Sequence, residues 1–244
     1  MATDRKAQFK ALLDGYHRWQ TSNGRDIIKL SVRLLEGFNS AHECGKKLQA
    51  TSADDFNLLD TLQVANEEIR HSMLLAWLLR RDDTHAQGNL GFKLFLAAIG
   101  FSSEYAKTPY RVIREKCGEE SRVDVEVSAP GKFIIHIENK IFSEEGVNQT
   151  QREWKDLQRR ARELNVPATK LHGLYLTLDG HQASCVKFQS VSWKQIADVL
   201  DEFAELSKAD QVALFAAHYA QALRRMTYEL TQDYEDKNET RPVS

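Results

Sequence analysis

The residues able to do chemistry in this chain crowd into one short stretch. Arg122-Val123-Asp124-Val125-Glu126 is followed, after Pro130-Gly131, by Ile137-Glu138-Asn139-Lys140. The spacing predicts two strands joined by a tight turn. Alternate side chains of a strand share a face, so Glu138 and Lys140 lie on one side about 7 Å apart, and the hairpin can set Asp124 beside them. Two acceptor-only carboxylates suit a hard divalent cation, and an adjacent ammonium can orient or polarise a water and stabilise developing negative charge. The reaction such a group serves is metal-assisted hydrolysis of a phosphodiester. The same residue types also describe a solvated face with cross-strand ion pairs. What separates the two is the run Phe133, Ile134, Ile135 and Ile137, apolar on both faces as in a central strand. Charges at the end of such a strand are costly unless they are used.

The elements that must position these residues follow from periodicity. Apolar residues at three- and four-residue steps predict amphipathic helices over Asp4 to Trp19 and Asp26 to about Lys47, with a turn at Thr51 to Asp55. A longer, densely apolar helix is expected from Asn66 to Arg80, and another from Leu90 to Ile99. The period then shortens, and Arg111 to Lys116, Arg122 to Ser128 and Lys132 to Asn139 read as a three-strand meander. Gln149 to Leu164 reads as a helix, Leu171 to Leu178 as a strand closed by Asp179-Gly180, and Ser184 to Val191 as a weaker strand. Two helices fill Ser192 to Leu230, and the polar residues from Asp233 are expected to fray. The order helices, strands, helix, strand, helices is that of an α/β fold with a small mixed sheet wrapped in helices.

Composition excludes whole classes. At 244 residues, with 42% hydrophobic and 28% charged residues and only 12 Gly and 4 Pro, the chain is neither disordered nor collagen-like nor a repeat array. Thirty-three Lys and Arg against 35 Asp and Glu leave a net charge of -2, so any nucleic-acid binding must come from a local patch. Cys44, Cys117 and Cys185 are odd in number and show no C-x-x-C spacing, which argues against structural zinc and for a reducing compartment. No apolar stretch is long enough for a signal peptide or membrane helix, so a cytoplasmic protein with no membrane partner is expected. The N-x-T triplets at Asn148 and Asn238 are read as chance.

With these residues in place, the chain resembles the PD-(D/E)XK nuclease superfamily, whose signature is an Asp on one strand and Glu-x-Lys at the end of the next. A bacterial branch of it is similar further along: Phe56-Asn57-Leu58-Leu59, Asn66-Glu67-Glu68-Ile69-Arg70-His71-Ser72, Leu75-Ala76-Trp77-Leu78-Leu79, His85 followed by Gly88, and Tyr175 to Gly180. The similarity spans about Asp55 to Gly180. It implies a restriction-endonuclease-like core with a small central mixed β-sheet flanked by helices, here over residues 51–191. Around it lie an N-terminal helical extension (1–50), C-terminal helices packed on the core (192–232) and a flexible tail (233–244). Carried over residue by residue, the resemblance implies that Glu68, Asp124 and Glu138 hold Mg2+, or Mn2+ in its place, with the backbone carbonyl of Asn139. Lys140 would position the attacking water. Gln149 matches a Gln on the following helix, but Glu153 stands where the family has Tyr, with Trp154 one place off; Val123 stands where it has Pro.

The implied activity is hydrolysis of DNA, in a restriction or anti-phage defence setting, with an RNA-cleaving enzyme or a non-catalytic nuclease-like binding subunit as rivals. His71 and Ser72 share Glu68's helix face and could orient it, or His71 is a core histidine. Glu67 competes with Glu68, and only the family register prefers the latter. His136 and Glu126 read as a buried hydrogen-bonded pair. Arg152, Lys155 and Arg159 are the candidate nucleic-acid-binding residues, cations for backbone phosphates, against the alternative of a solvated mixed-charge helix face. The terminal helices carry no motif; a homodimer or an activating protein partner is their candidate use.

Overall fold

The computed structural model describes residues 2–53, 55–63 and 67–239. The chain divides into two compact units, residues 1–56 and 57–244. The first holds one helix, α1 (Ala2–Ser52). Two helices with a break between Trp19 and Asp26 were expected there, and the turn was expected from Thr51. The helix instead passes through the break, because an interior Gly such as Gly24 costs only about 1 kcal/mol and no Pro interrupts the run, and it ends at Ser52, inside the expected turn. The chain leaves the helical path at Ala53, whose φ is +48°.

The second unit opens with α2 (Leu58–Thr61), capped by the Asn57 side chain, which accepts from the amides of Leu59 and Asp60. α3 (Glu68–Leu79) buries His71, Ser72, Leu75, Ala76, Leu78 and Leu79. The Asn66 start expected for it lies outside the described residues. Then come α4 (Leu90–Ala98), α5 (Glu104–Lys107), β1 (Arg111–Cys117), β2 (Arg122–Ala129), β3 (Phe133–Asn139) and α6 (Gln149–Glu163). β4 (Leu171–Thr177), β5 (Phe188–Ser192), α7 (Trp193–Leu206) and α8 (Asp210–Glu239) complete it. α8 continues past Asp233 to Glu239, through the polar residues expected to fray, while residues 240–244 lie outside the described residues.

The five strands stand in sequence order, β1-β2-β3-β4-β5. β1, β2 and β3 form the antiparallel meander, and β4 and β5 add parallel to β3, making the sheet mixed. Alternation sorts β2 and β3 by face. Val125, Val127, Phe133, Ile135 and Ile137 enter the main core, which α3, α4, α7 and α8 supply with Leu75, Phe92, Trp193, Phe203 and Tyr219 among others. Ile134 faces the other way, onto Leu157 and Ala161 of α6. Asp124, Glu126, His136 and Glu138, one residue out of phase with the main-core set, therefore belong to the α6 side. All seven residues of β3 are buried, as its apolar run requires. Ser192 and Gln195 form a reciprocal capping box that starts α7 directly at the end of β5. Among the described residues no helix is long and apolar enough to cross a membrane.

α4 crosses α3 closely enough to demand a residue without a side chain: a Cβ on Gly91 would stand 2.2 Å from the Leu78 carbonyl oxygen. Gly91→Ala should therefore destabilise the unit by about 1–3 kcal/mol, despite the better helix propensity of Ala, and a urea unfolding midpoint measures it.

Candidate active site

β3 ends at Asn139, and the residues around that end come from four elements. Glu138 is 2% exposed and Lys140 half-buried. The Lys140 ammonium lies 3.0 Å from Glu138 Oε1, and its backbone N–H donates to the Leu176 carbonyl of β4 at 2.8 Å. Asp124 of β2 accepts from the Asn139 amide at 2.8 Å, which locks the hairpin register at the site. From α6, the Gln149 side-chain amide donates to Glu138 Oε1, and its own oxygen accepts from the Gly146 amide at 3.1 Å. The sequence-predicted Asp124, Glu138, Lys140 and Gln149 are thus brought together.

Glu68 reaches the same neighbourhood as the first residue of α3. Its Oε1 accepts from the Ile141 amide (2.9 Å), the Ser143 amide (3.2 Å) and the Ser143 hydroxyl (2.6 Å). Glu67, its rival in the sequence, is the N-cap residue and pairs at the surface with Arg70 at 3.1 Å. Ser72 ties α3 to the strand end through the backbone: its hydroxyl donates to the Glu68 carbonyl at 3.2 Å and accepts from the Asn139 amide group at 3.2 Å. Asn139 Oδ1 in turn accepts from the Trp193 indole at 3.0 Å. His71 makes a 3.0 Å hydrogen bond with the Tyr219 hydroxyl and packs on Trp193, the core role weighed for it.

Electrostatics make this end of the sheet unusual. Burial first, then the Glu138 charge, pushes the Asp124 carboxyl up to about 7. Burial also raises Glu138, despite Lys140 beside it. On Glu68 burial pulls upward too, but the Ser143 and Ile141 hydrogen bonds outweigh it and hold the carboxyl below its usual range. Lys140 is raised: burial opposes its charge, yet Glu138, Glu68 and Asp124 together prevail. Sequence reasoning assigned no role to Glu153, one turn after Gln149 on α6. It is fully buried, and burial, followed by Glu138's charge and the hydrogen bond it makes to Glu138, lifts it to about 10, so it carries a proton. The four-residue step from Gln149 was the available signal, because it puts both side chains on one helix face. The Tyr175 hydroxyl is buried without a partner.

Hard oxygen donors with a buried Glu138 carboxylate fit a hard divalent cation, whose charge would relieve the repulsion between Asp124 and Glu138. Among the described residues no three His, Cys, Asp or Glu side chains converge on one ion-sized point. Of the expected ligands, Asp124 and Glu138 form the pair; the Glu68 oxygen faces the 141–143 segment, and the Asn139 side chain turns to α3 and α7.

The α6 cations are less available than their sequence suggests. Lys155 pairs with Glu120 at 3.1 Å, and Arg159 with Asp156 (2.6 Å) and Glu119 (3.2 Å). Asp156 also accepts from the amides of Glu119 and Glu120 and from the Ser121 hydroxyl, so this face lashes the β1–β2 turn to α6. Arg152 bonds the Val147 carbonyl. The fully buried Glu126 accepts from Ser128 at 2.8 Å and meets His136 and Arg160 at 3.3 Å each. Burial raises it, but these partners outweigh that and bring it to about 2, as befits the structural pair expected there.

A family model described as PD-(D/E)XK nuclease superfamily matches residues 56–240. No curated protein and no solved structure matches the chain.

The Asp124 shift fixes the sign of a pH effect. A carboxyl at about 7 when folded, against 3.8 ordinarily, binds its proton more tightly in the folded chain, so stability is lost as pH rises through that window. Without metal, Asp124→Asn should stabilise the protein at pH 8 by up to about 4 kcal/mol, a gain that vanishes toward pH 4. Urea midpoints at the two pH values measure it.

Proposed function

The chain belongs to the PD-(D/E)XK nuclease superfamily, and from that premise we propose that it is a divalent-metal-dependent enzyme that hydrolyses DNA phosphodiester bonds. One observation carries this reading: Asp124 and Glu138 are desolvated side by side with the Lys140 ammonium 3.0 Å from Glu138. A scaffold gains nothing from that arrangement, whereas a cation site with a positioned water does.

Asp124 and Glu138 would hold Mg2+, or Mn2+ in its place, with Glu68 and the Asn139 carbonyl as further oxygen donors. A divalent ion held there supplies Lewis-acid stabilisation to the non-bridging oxygen and the leaving 3′ oxygen. The protein's own residues do the rest. Lys140 stays protonated at neutral pH, since its raised pKa favours the charged form, and its ammonium holds the attacking water while offsetting charge that develops on phosphate. Gln149 fixes the Glu138 rotamer from α6, so that one oxygen serves Lys140 and Gln149 and the other, next to Glu153, would turn to the ion. Glu68, held by Ser143 and Ile141, remains ionised at neutral pH and adds negative charge near Lys140. Of Arg152, Lys155 and Arg159, Arg152 is the one paired with a carbonyl instead of a carboxylate, which leaves its charge available to a backbone phosphate.

Supercoiled, linear and single-stranded DNA and an RNA, incubated with the protein in Mg2+, Mn2+ or EDTA, test the reading. DNA cleavage that requires the metal and falls by about 10²–10⁴-fold in Lys140→Ala is expected. Cleavage of RNA alone would reassign the substrate, and cleavage unaffected by EDTA or by Lys140→Ala would overturn the mechanism.

A further inference from the structure

Among the described residues α1 is the one helix of its unit, and its described large apolar side chains from Leu12 to Leu48 are exposed. They are large, and apart from Leu13, Val32 and Leu35 they are aligned. Leu12, Tyr16, Trp19, Leu30, Leu34 and Phe38, with Leu48 beyond them, follow steps that sum to whole helical turns; Trp19, Leu30 and Ala41 are spaced eleven apart, which is three turns. The stripe therefore stays on one side of a nearly straight helix. These seven large residues are between 52% and 73% exposed. The same helix carries Gly15, Gly24, Gly37 and Gly45, each costing about 1 kcal/mol against Ala, so it is a poor candidate for standing alone in water.

The area at stake is that of a stable interface. Seven such side chains with roughly 120 Å² still exposed on each give roughly 1,700 Å² over two chains, the size of a standard specific interface. Residue size then selects the arrangement. Tyr16 and Trp19 sit in one half of the stripe, and the other half holds Phe38 together with the small Ala41 and Gly45, where a Cβ on Gly45 would meet nothing within 4 Å. A parallel pair would set Tyr16 and Trp19 each on its own copy at one end and leave Ala41 and Gly45 underfilled on theirs at the other. An antiparallel pair centred on Leu30 sets Trp19 against Ala41, Tyr16 against Cys44 and the adjoining Gly45, and Leu12 against Leu48, and it also opposes the two helix dipoles. We infer that α1 pairs with α1 of a second copy of this chain, antiparallel about Leu30, and that the nuclease units are thereby carried as a dimer.

The test uses the full chain. Sedimentation or light scattering should return twice the 27.9 kDa of one chain. Leu30→Glu with Leu34→Glu should raise the dimer dissociation constant by at least about a hundredfold while the unfolding midpoint of the nuclease unit stays in place. In a Cys117→Ser background, a short bis-maleimide should fail to join Cys44 to Cys44, because the antiparallel register holds them roughly 40 Å apart. A monomer at all concentrations, a dimer indifferent to the double substitution, or efficient Cys44 cross-linking would each overturn the arrangement.

Discussion

The repulsion between two desolvated carboxylates, Asp124 and Glu138, is the constraint that organises the nuclease unit. Burial opposes the ionisation of both, and the Glu138 charge raises Asp124 further. The fold spends several interactions on keeping them there. The Asn139 amide binds Asp124, Lys140 and Gln149 bind Glu138, and Asn139 is anchored by Ser72 of α3 and Trp193 of α7. Helices distant in sequence thus converge on the end of one strand. Glu153, nearly neutralised by the same field, completes a buried acidic corner that a cation would stabilise.

Position in the sheet explains why the corner can exist. β3 is central, flanked by β2 antiparallel and β4 parallel, and every residue in it is buried. Its odd-numbered residues feed the main helical core, which leaves His136 and Glu138 on the α6 side. There the two polar residues diverge in role. His136 joins Glu126 and Arg160 in a structural pair, while Glu138 sits at the strand end beside the partly buried Asp124 and Lys140.

The meander, the site pair and Lys140 were legible in the sequence because strand alternation and a Pro-Gly turn fix which side chains share a face. Glu68 over Glu67 was legible only by resemblance; what separates them is the 141–143 segment, whose amides select one carboxylate, a tertiary fact with no local pattern. Glu153 was passed over because a Tyr was expected there, although its helix step from Gln149 gave its face. The charge of α6 misled in part: Arg159 and Lys155 serve the β1–β2 turn through partners more than thirty residues away. The single helix α1 was read as two, since Asn23 and Gly24 look like a boundary and only weakly break a helix.

Calorimetry of Mg2+ binding in two buffers of different ionisation enthalpy near pH 6.5 tests the central claim most directly. The account predicts that the wild-type chain binds the ion and releases protons as the buried carboxyls ionise, and that Glu138→Gln removes the binding. Absence of Mg2+ binding to the wild type, or binding that Glu138→Gln leaves unchanged, would contradict it.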